Sequence, residues 1–189
     1  DRAAPDGRGT RTLTITAVTK NDFAEDNTKI TLTSEAAAAG LWLEPGDIFV
    51  QRSNTPELVG SASRYEGPRD WAIFPDLLIR LRADESMVTS EYLVAALRSR
   101  RVHRALRAKA KGLAGSMPKI DQGAIGGTEV PTVPLPAQAA IVARLKEVDD
   151  SAQRFIATAE ESRRRAAALR RSLLAAAFRG DLTAAGSVA

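Results

Sequence analysis

Cysteine is absent from this chain of 189 residues, and histidine occurs once, as His103. The lack of cysteine excludes disulfide bonds, thiolate-bound zinc and thiol chemistry. A single histidine also argues against a histidine-rich metal site. We therefore expect neither a metal nor a cofactor.

Long apolar runs are missing as well. No stretch approaches the roughly 18 consecutive apolar residues that a membrane-spanning helix requires. The chain does not open with the basic and then apolar pattern of an export signal. These absences predict a cytoplasmic protein with no membrane partner.

Recognisable catalytic motifs are also missing from the sequence. The Gly-Ser loop of residues 112–119 lacks the Walker spacing and its Lys-Ser/Thr pair, so nucleotide hydrolysis is not supported. The sequence NTPE at residues 54–57 does not form the Asn/Asp-Pro-Pro-aromatic motif that holds a flipped adenine in methyltransferases. Since no nucleophile–base pair stands out either, the sequence predicts a protein that is not an enzyme.

Basic residues are present and are unevenly distributed. The formal net charge is +4, a moderate bias that would suit many proteins. No acidic residue occurs between Glu91 and Asp121, and this interval holds eight basic ones: Arg98, Arg100, Arg101, Arg104, Arg107, Lys109, Lys111 and Lys119. Ordinary exposed helices mix charges of both signs, so an unrelieved basic run favours an anionic partner such as phosphate over a merely solvated face.

Short strand-like segments and helices alternate in the first two thirds of the chain. Period-two apolar patterns occur at Leu13 and Ile15, at Ile30 and Leu32, at Ile48 and Val50, and at Leu77, Ile79 and Leu81. The last pattern places Arg80 and Arg82 on the opposite face. Residues 90–110 have the composition of one helix, and the prolines of residues 131–136 predict an extended segment. We predict an α+β fold with a mixed, irregular sheet.

The last third of the chain predicts one long helix. With Ile141 at position d, a strict four-three spacing gives Ile141, Leu145, Val148, Ala152, Phe155, Ala159, Ser162, Ala166, Leu169, Leu173 and Ala176, of which only Ser162 is polar. Such a heptad seam is typical of a coiled coil. The predicted organisation is a flexible leader (1–10), a globular domain (11–133), the long helix (134–181) and a tail (182–189). The helix needs a partner, because its apolar stripe would otherwise face water.

Several motifs together resemble the specificity subunits of Type I restriction-modification enzymes. The sequence VPLPAQ at residues 133–138 resembles the segment that precedes the conserved-region helix in this family, although Ala137 replaces the usual acid. The sequences LRRSLL (169–174) and AFRGDL (177–182) are similar to the end of that helix. LEPGDI (43–48), RSNT (52–55) and LVG (58–60) resemble the core of a target-recognition domain. A complete family member has two such domains and two such helices, so this chain corresponds to one half, as a fragment or as a half-subunit.

The resemblance implies sequence-specific recognition of double-stranded DNA. The helix would pair antiparallel with an equivalent helix, from a second copy or from the missing half, through Ile141, Leu145, Val148, Phe155, Leu169 and Leu173. Methyltransferase (modification) and restriction subunits would be the other partners, and they would carry out the chemistry on DNA.

Candidate DNA-binding residues lie at a strand end, in the basic stretch and around the Gly-Ser loop. Arginine and asparagine side chains can pair with guanine and adenine edges in the major groove, and cationic side chains contact phosphates. The predicted set is Arg52, Ser53, Asn54, Arg101, Arg104, Lys109, Lys111, Ser116 and Lys119. One alternative stays open, namely a coiled-coil scaffold protein whose globular domain binds an acidic protein surface.

Overall fold

The computed structural model describes residue 4, residues 8–112 and residues 117–180. The chain divides into two compact units, Asp1–Val142 and Ala143–Ala189. Its helices and strands are β1 Thr10–Leu13, α1 Ile15–Lys20, β2 Thr28–Thr31, α2 Glu35–Ala38, β3 Ile48–Gln51, β4 Ala62–Arg64, β5 Leu78–Leu81, α3 Ser90–Arg98, α4 Arg100–Ala108, α5 Gln122–Gly126 and α6 Leu135–Phe178. No helix in the described ranges is long and apolar enough to cross a membrane.

Two small sheets organise the first unit. Strand β1 pairs with β2, and β3 lies between β4 and β5 with Ile48 opposite Leu81 and Val50 opposite Ile79. The α+β class is confirmed. The sheets are antiparallel rather than mixed, and a parallel pairing occurs only as an isolated bridge between Thr12 and Ile73 among the described residues.

Strand β3 separates two apolar cores. Its side chains alternate between the two faces of the sheet. Ile48 and Val50 therefore belong to one core, where they pack with helices α3, α4 and α5. Phe49 belongs to the other core, with Leu13 and Tyr65. Every residue of β3 is buried, so the strand that leads to the predicted DNA-binding loop is fixed from both sides.

The turn before β3 is held by Asp47. The Glu44 N–H donates to the Asp47 carboxylate (2.9 Å), and Gly46 adopts a φ of +93°, which suits glycine. The Gly46–Asp47 pair therefore has a structural position in this turn. Asp47 also accepts a hydrogen bond from Arg82 Nε (2.7 Å) and lies 3.5 Å from Arg80. Arg80, in β5, and Arg82, directly after it, are therefore both engaged in ion pairs.

Three local predictions were wrong at element boundaries. Ile15 begins helix α1 instead of continuing a strand. The predicted helix over residues 90–110 is two helices, because Ser99 leaves the helical conformation and its hydroxyl accepts from the Val102 N–H at the start of α4. Pro136 lies in the first turn of α6, where a missing N–H leaves no hydrogen bond unmade.

Helix α6 confirms the long helix predicted from the heptad pattern. It runs for 44 residues, which is roughly 66 Å at 1.5 Å per residue. Gly180 follows it with a φ of +83°, the left-handed conformation that commonly ends a helix.

Candidate nucleic-acid interface

The loop between β3 and β4 contains the residues predicted to contact bases. Its ends are joined by a hydrogen bond from the Gly60 N–H to the Gln51 carbonyl (3.0 Å). Arg52 is tied on both sides, since its N–H donates to the Leu77 carbonyl (2.8 Å) and its carbonyl accepts from the Ile120 N–H (2.8 Å). The loop therefore leaves the sheet from a fixed base.

The two side chains predicted to read bases lie in different environments. Arg52 is exposed, and its guanidinium makes a long hydrogen bond (3.4 Å) to the Asp76 carbonyl. Asn54 is only 8% exposed. Its Nδ2 donates to Gln51 Oε1 (2.6 Å), and its Oδ1 accepts from the Thr55 N–H (2.8 Å). Arg52 is therefore accessible at the surface, whereas the Asn54 amide is used at both ends within the domain.

Backbone bridges bring three predicted cations together. Ser53 forms an antiparallel bridge with Lys119, and Lys119 exchanges backbone hydrogen bonds with Lys111 (2.8 and 2.9 Å). The side chain of Ser53 is buried, and its hydroxyl has no hydrogen-bond partner among the described residues. Lys111 and Lys119 are exposed. Thus the segment of Arg52 lies beside the segments of Lys111 and Lys119, which come about sixty residues later in the chain.

Helix α4 presents further cations to solvent. Val102 and Leu106 are buried in the core, whereas Arg101 and Arg104 are exposed. This division follows from the helical period, which places residues three and four apart on one face. The exposed cations of this helix are Arg100, Arg101, Arg104 and Arg107.

Lys109 has a structural position. Its Nζ donates to the carbonyls of Ala124 (3.2 Å) and Gly127 (2.5 Å) and to the Thr128 hydroxyl (2.9 Å). A lysine here satisfies carbonyl groups at the end of α5 that lack helical partners. Its ammonium is thus committed to the fold. Ser116 lies outside the described residues.

Two further contacts support the interface. His103 Nε2 lies 3.1 Å from the Val59 carbonyl, so this half-buried ring holds the end of the β3–β4 loop instead of standing free on α4. Lys111 Nζ lies 3.8 Å from Asp121, and both side chains are mostly exposed. An exposed ion pair this long contributes little, so Lys111 is available to another anion.

The apolar seam of α6 is exposed along its length. The exposed fraction is 40% at Ile141 and 76% at Phe155, and the other predicted pairing residues, Leu145, Val148, Leu169 and Leu173, lie between these values. Contiguous exposed apolar side chains of this extent are typical of an interaction surface. Within the described part of the chain, no cluster of acidic and histidine residues is arranged to hold a metal.

A comparison with known proteins shows which protein the chain resembles in sequence. Over 143 residues it is 34% identical to the specificity subunit of the Type I restriction enzyme StySPI from Salmonella potsdam. The chain is related to Type I restriction specificity subunits. The match covers 75% of this chain and 31% of that subunit. The chain therefore spans about a third of the length of the specificity subunit it matches. This relationship favours the specificity-subunit interpretation over the coiled-coil scaffold.

Two solved structures have a fold similar to that of this chain. The HsdS subunit from Thermoanaerobacter tengcongensis matches with a TM-score of 0.50 and 19% identity, over 75% of this chain and 32% of that one. A chain from a study of the assembly and conformational transition of the type I R-M system matches with a TM-score of 0.66 and 18% identity, over 88% of this chain and 42% of that one. No family model matches the chain.

The VPLPAQ segment at residues 133–138 places a fully buried glutamine, Gln138, in the first turn of α6. Gln138 Oε1 accepts from the Thr89 N–H (2.9 Å), and its Nε2 donates to the carbonyls of Met87 (2.9 Å) and Val133 (2.8 Å). The beginning of α6 is therefore bound to the segment that precedes α3. The position of this glutamine in the motif is visible in the sequence, but its partners are not.

One polar residue near the interface was missed in the sequence. Glu57 is exposed at the tip of the β3–β4 loop. Hydrogen bonds from its own backbone N–H and from the Thr55 side chain, aided by the charge of Arg107, hold the pKa of Glu57 below its ordinary value. Its position after Pro56, in a loop between two strands, was the signal available in the sequence.

Proposed function

We propose that this chain is a DNA-recognition unit of a Type I restriction-modification specificity subunit and that it reads one half of a divided DNA site. The observation that carries the proposal is the convergence of Arg52, Lys111 and Lys119 through backbone bridges at the base of an exposed loop. Exposed cationic residues on adjacent backbone segments suit the closely spaced charges of duplex DNA.

Within this interface, we assign different tasks to different residues. Arg52 is suited to a bidentate contact with guanine, because it is exposed at the start of the loop. Arg101, Arg104, Lys111 and Lys119 contact phosphates and fix the position of the domain on the duplex. Ser53, Asn54 and Lys109 shape the protein surface from within, and Ser116 is a further proposed DNA contact in the Gly-Ser loop.

We also propose that α6 pairs antiparallel with an equivalent helix, from a second copy or from the other half of a longer subunit. Five acidic and three basic residues occur in its segment 135–161, whereas six arginines and no acid occur in residues 162–180. An antiparallel arrangement places the acidic part of one helix beside the basic part of the other. A parallel arrangement would bring the two arginine-rich parts together.

The remaining partners follow from the relationship to specificity subunits. We propose that the chain docks methyltransferase and restriction subunits, that these carry the catalytic groups for methylation and cleavage, and that the complex acts in the cytoplasm. The chain itself contributes recognition and spacing.

Salt dependence tests DNA binding by the basic surface. The affinity for duplex DNA is measured between 50 and 200 mM salt for wild type and for the double variant R101A/R104A. Each lost phosphate contact should reduce the slope of log affinity against log salt by about 0.9. The double variant K20A/K29A, which removes two exposed lysines outside the interface, should retain the wild-type slope. The scaffold interpretation would instead be supported if the wild-type chain bound an acidic protein and duplex DNA did not compete for that binding.

A further inference from the structure

The tip of the β3–β4 loop is exposed and firmly supported. Thr55, Pro56 and Glu57 are exposed. Below them, the Thr55 carbonyl accepts hydrogen bonds from the Leu58 N–H (3.1 Å) and the Val59 N–H (2.9 Å), which closes a tight turn. The buried Asn54 amide fixes the approach to this turn. The three tip residues are thus presented in one conformation.

Close packing fixes the other end of the turn. Gly60 has a φ of +81°, and a side-chain carbon added there would lie 3.2 Å from Ile120 and 3.4 Å from Leu106. The backbone therefore lies directly against the helix that carries Arg101 and Arg104. A loop supported this way can hold a side chain in position without losing much conformational entropy on binding.

Glu57 is an unusual residue for this surface. It is the only acidic residue in segments 48–65 and 98–120, and Asp121, which follows directly, already faces Lys111 as an ion-pair partner. A carboxylate beside DNA repels phosphates, so it weakens a surface whose only task is phosphate binding. Base edges that donate hydrogen bonds are the part of duplex DNA that a carboxylate can contact favourably.

The carboxylate is also prepared to accept hydrogen bonds. Hydrogen bonding with its own backbone N–H and with the Thr55 side chain, together with the charge of Arg107, lowers the pKa of Glu57. The group is therefore ionised near neutral pH and acts only as an acceptor. Because it is exposed, it retains lone pairs for a partner outside the protein.

We infer that Glu57 is a specificity-determining residue, whose carboxylate accepts a hydrogen bond from the exocyclic amino group of a cytosine in the major groove. The inference rests on the proposed function, since it requires that this surface contacts DNA. Glu57 adds discrimination between bases and no general affinity, because it repels the phosphates that the neighbouring cations attract.

The experiment selects preferred sequences from a randomised duplex library with the full chain, as wild type and as Glu57→Gln and Glu57→Ala. We expect Glu57→Ala to lose preference for cytosine at one position by about 5- to 150-fold, the range for one good base contact. Glu57→Gln should shift that position toward adenine, because a glutamine amide pairs with the adenine edge. Neither variant should bind random DNA more weakly than wild type.

The control is Glu35→Gln, which removes the same charge from an exposed position on α2. It should select the wild-type sequence with unchanged sharpness. Selection of that same sequence by both Glu57 variants would overturn the role of Glu57 and leave the proposed function intact. If folded wild type enriches no sequence, the proposed function itself fails, and this inference fails with it.

Discussion

At the scale of single residues, the amide side chains of Asn54 and Gln138 fix the backbone at two places. Asn54 links its own loop to Gln51 and Thr55, and Gln138 joins the first turn of α6 to the backbone of residues 87–89. Both are buried. A buried amide costs free energy unless its donors and acceptors are paired, so each specifies one local arrangement of the chain.

Replacing Arg52 should change base recognition, whereas replacing Asn54 should change stability. Arg52→Ala should relax the preference for guanine at one position, at a cost of roughly 1–3 kcal/mol for the preferred site, and should leave thermal stability unchanged because the side chain is exposed. Asn54→Ala should lower the free energy of unfolding by about 1–2 kcal/mol, since it removes one buried and one partly buried hydrogen bond. Duplex selection and thermal denaturation measure the two effects. A destabilised Arg52 variant with unaltered selection would contradict this division.

Gln138 should contribute to stability more than any exposed glutamine of the same helix. Replacing it by leucine leaves the Thr89 N–H and two carbonyls without their partner, and each such buried group costs about 1–3 kcal/mol. We expect a lower midpoint in chemical denaturation. The matched control is Gln153→Leu, an exposed position of α6, which should change stability by less than about 0.5 kcal/mol. Equal effects of the two variants would show that the Gln138 contacts contribute nothing.

At the scale of elements, a local rule explains each helix that matters for function. Helix α4 divides into a buried apolar face and an exposed basic face because its buried residues, Val102 and Leu106, lie one turn apart. Helix α6 has the same division over a much greater length, but its apolar side remains exposed. The apolar face of α4 is buried within the domain, whereas the apolar face of α6 requires another chain or another segment to cover it.

Pairing of α6 can be tested through charge. Asp149 and Arg163 both occupy e positions of the heptad, and e positions of antiparallel helices flank the same side of the seam. Asp149→Arg or Arg163→Asp alone should weaken self-association in sedimentation, and the double variant D149R/R163D should restore it. Phe155→Asp should prevent association altogether by placing a charge in the seam. A wild-type chain that is monomeric at all accessible concentrations would exclude the second copy as the partner.

At the scale of the whole molecule, an ion-pair network links segments of the first unit that are far apart in sequence. Glu44 accepts from Arg82 (2.6 Å) and pairs with Arg69 (2.8 Å), while Asp47 pairs with Arg82 and Arg80. Asp47 is only 1% exposed. The turn before β3, strand β5 and the segment before Trp71 are therefore connected by charge as well as by the apolar core.

This network predicts a dependence of stability on acid. Partial burial raises the pKa of Glu44, but hydrogen bonds and charges from Arg82 and Arg69 outweigh it and hold the pKa below its ordinary value of 4.5. A carboxyl whose pKa is lowered by folding stabilises the fold above its unfolded pKa, and this contribution is lost as the pH falls through the folded value. Thermal stability should therefore decrease below about pH 4.5, and Glu44→Gln should make this part of the pH profile shallower. An unchanged profile would show that Glu44 does not contribute.

The features that were predicted correctly from the sequence are those that depend on local patterns. The heptad spacing of Ile141, Leu145 and the later seam residues predicts α6 because an α-helix has a period close to that spacing. Exposure of Arg101 and Arg104 follows from the same helical period. The error at Ile15 arose because a short apolar alternation continued past the end of a strand. The error at Ser99 arose because a helix cap interrupts a stretch of continuous helical composition. Sequence periodicity reveals neither boundary.

The sequence by itself determined the long helix with its exposed apolar seam, the basic acid-free stretch and the absence of thiol chemistry, because composition and local periodicity are sufficient for these. Only the tertiary structure decided which polar residues are available for binding. Asn54 and Lys109 are committed to internal hydrogen bonds, whereas Arg52, Lys111 and Lys119 meet through long-range backbone bridges. Pairing between segments more than sixty residues apart depends on how the whole core packs, so no local pattern could place the backbone of Ser53 beside that of Lys119.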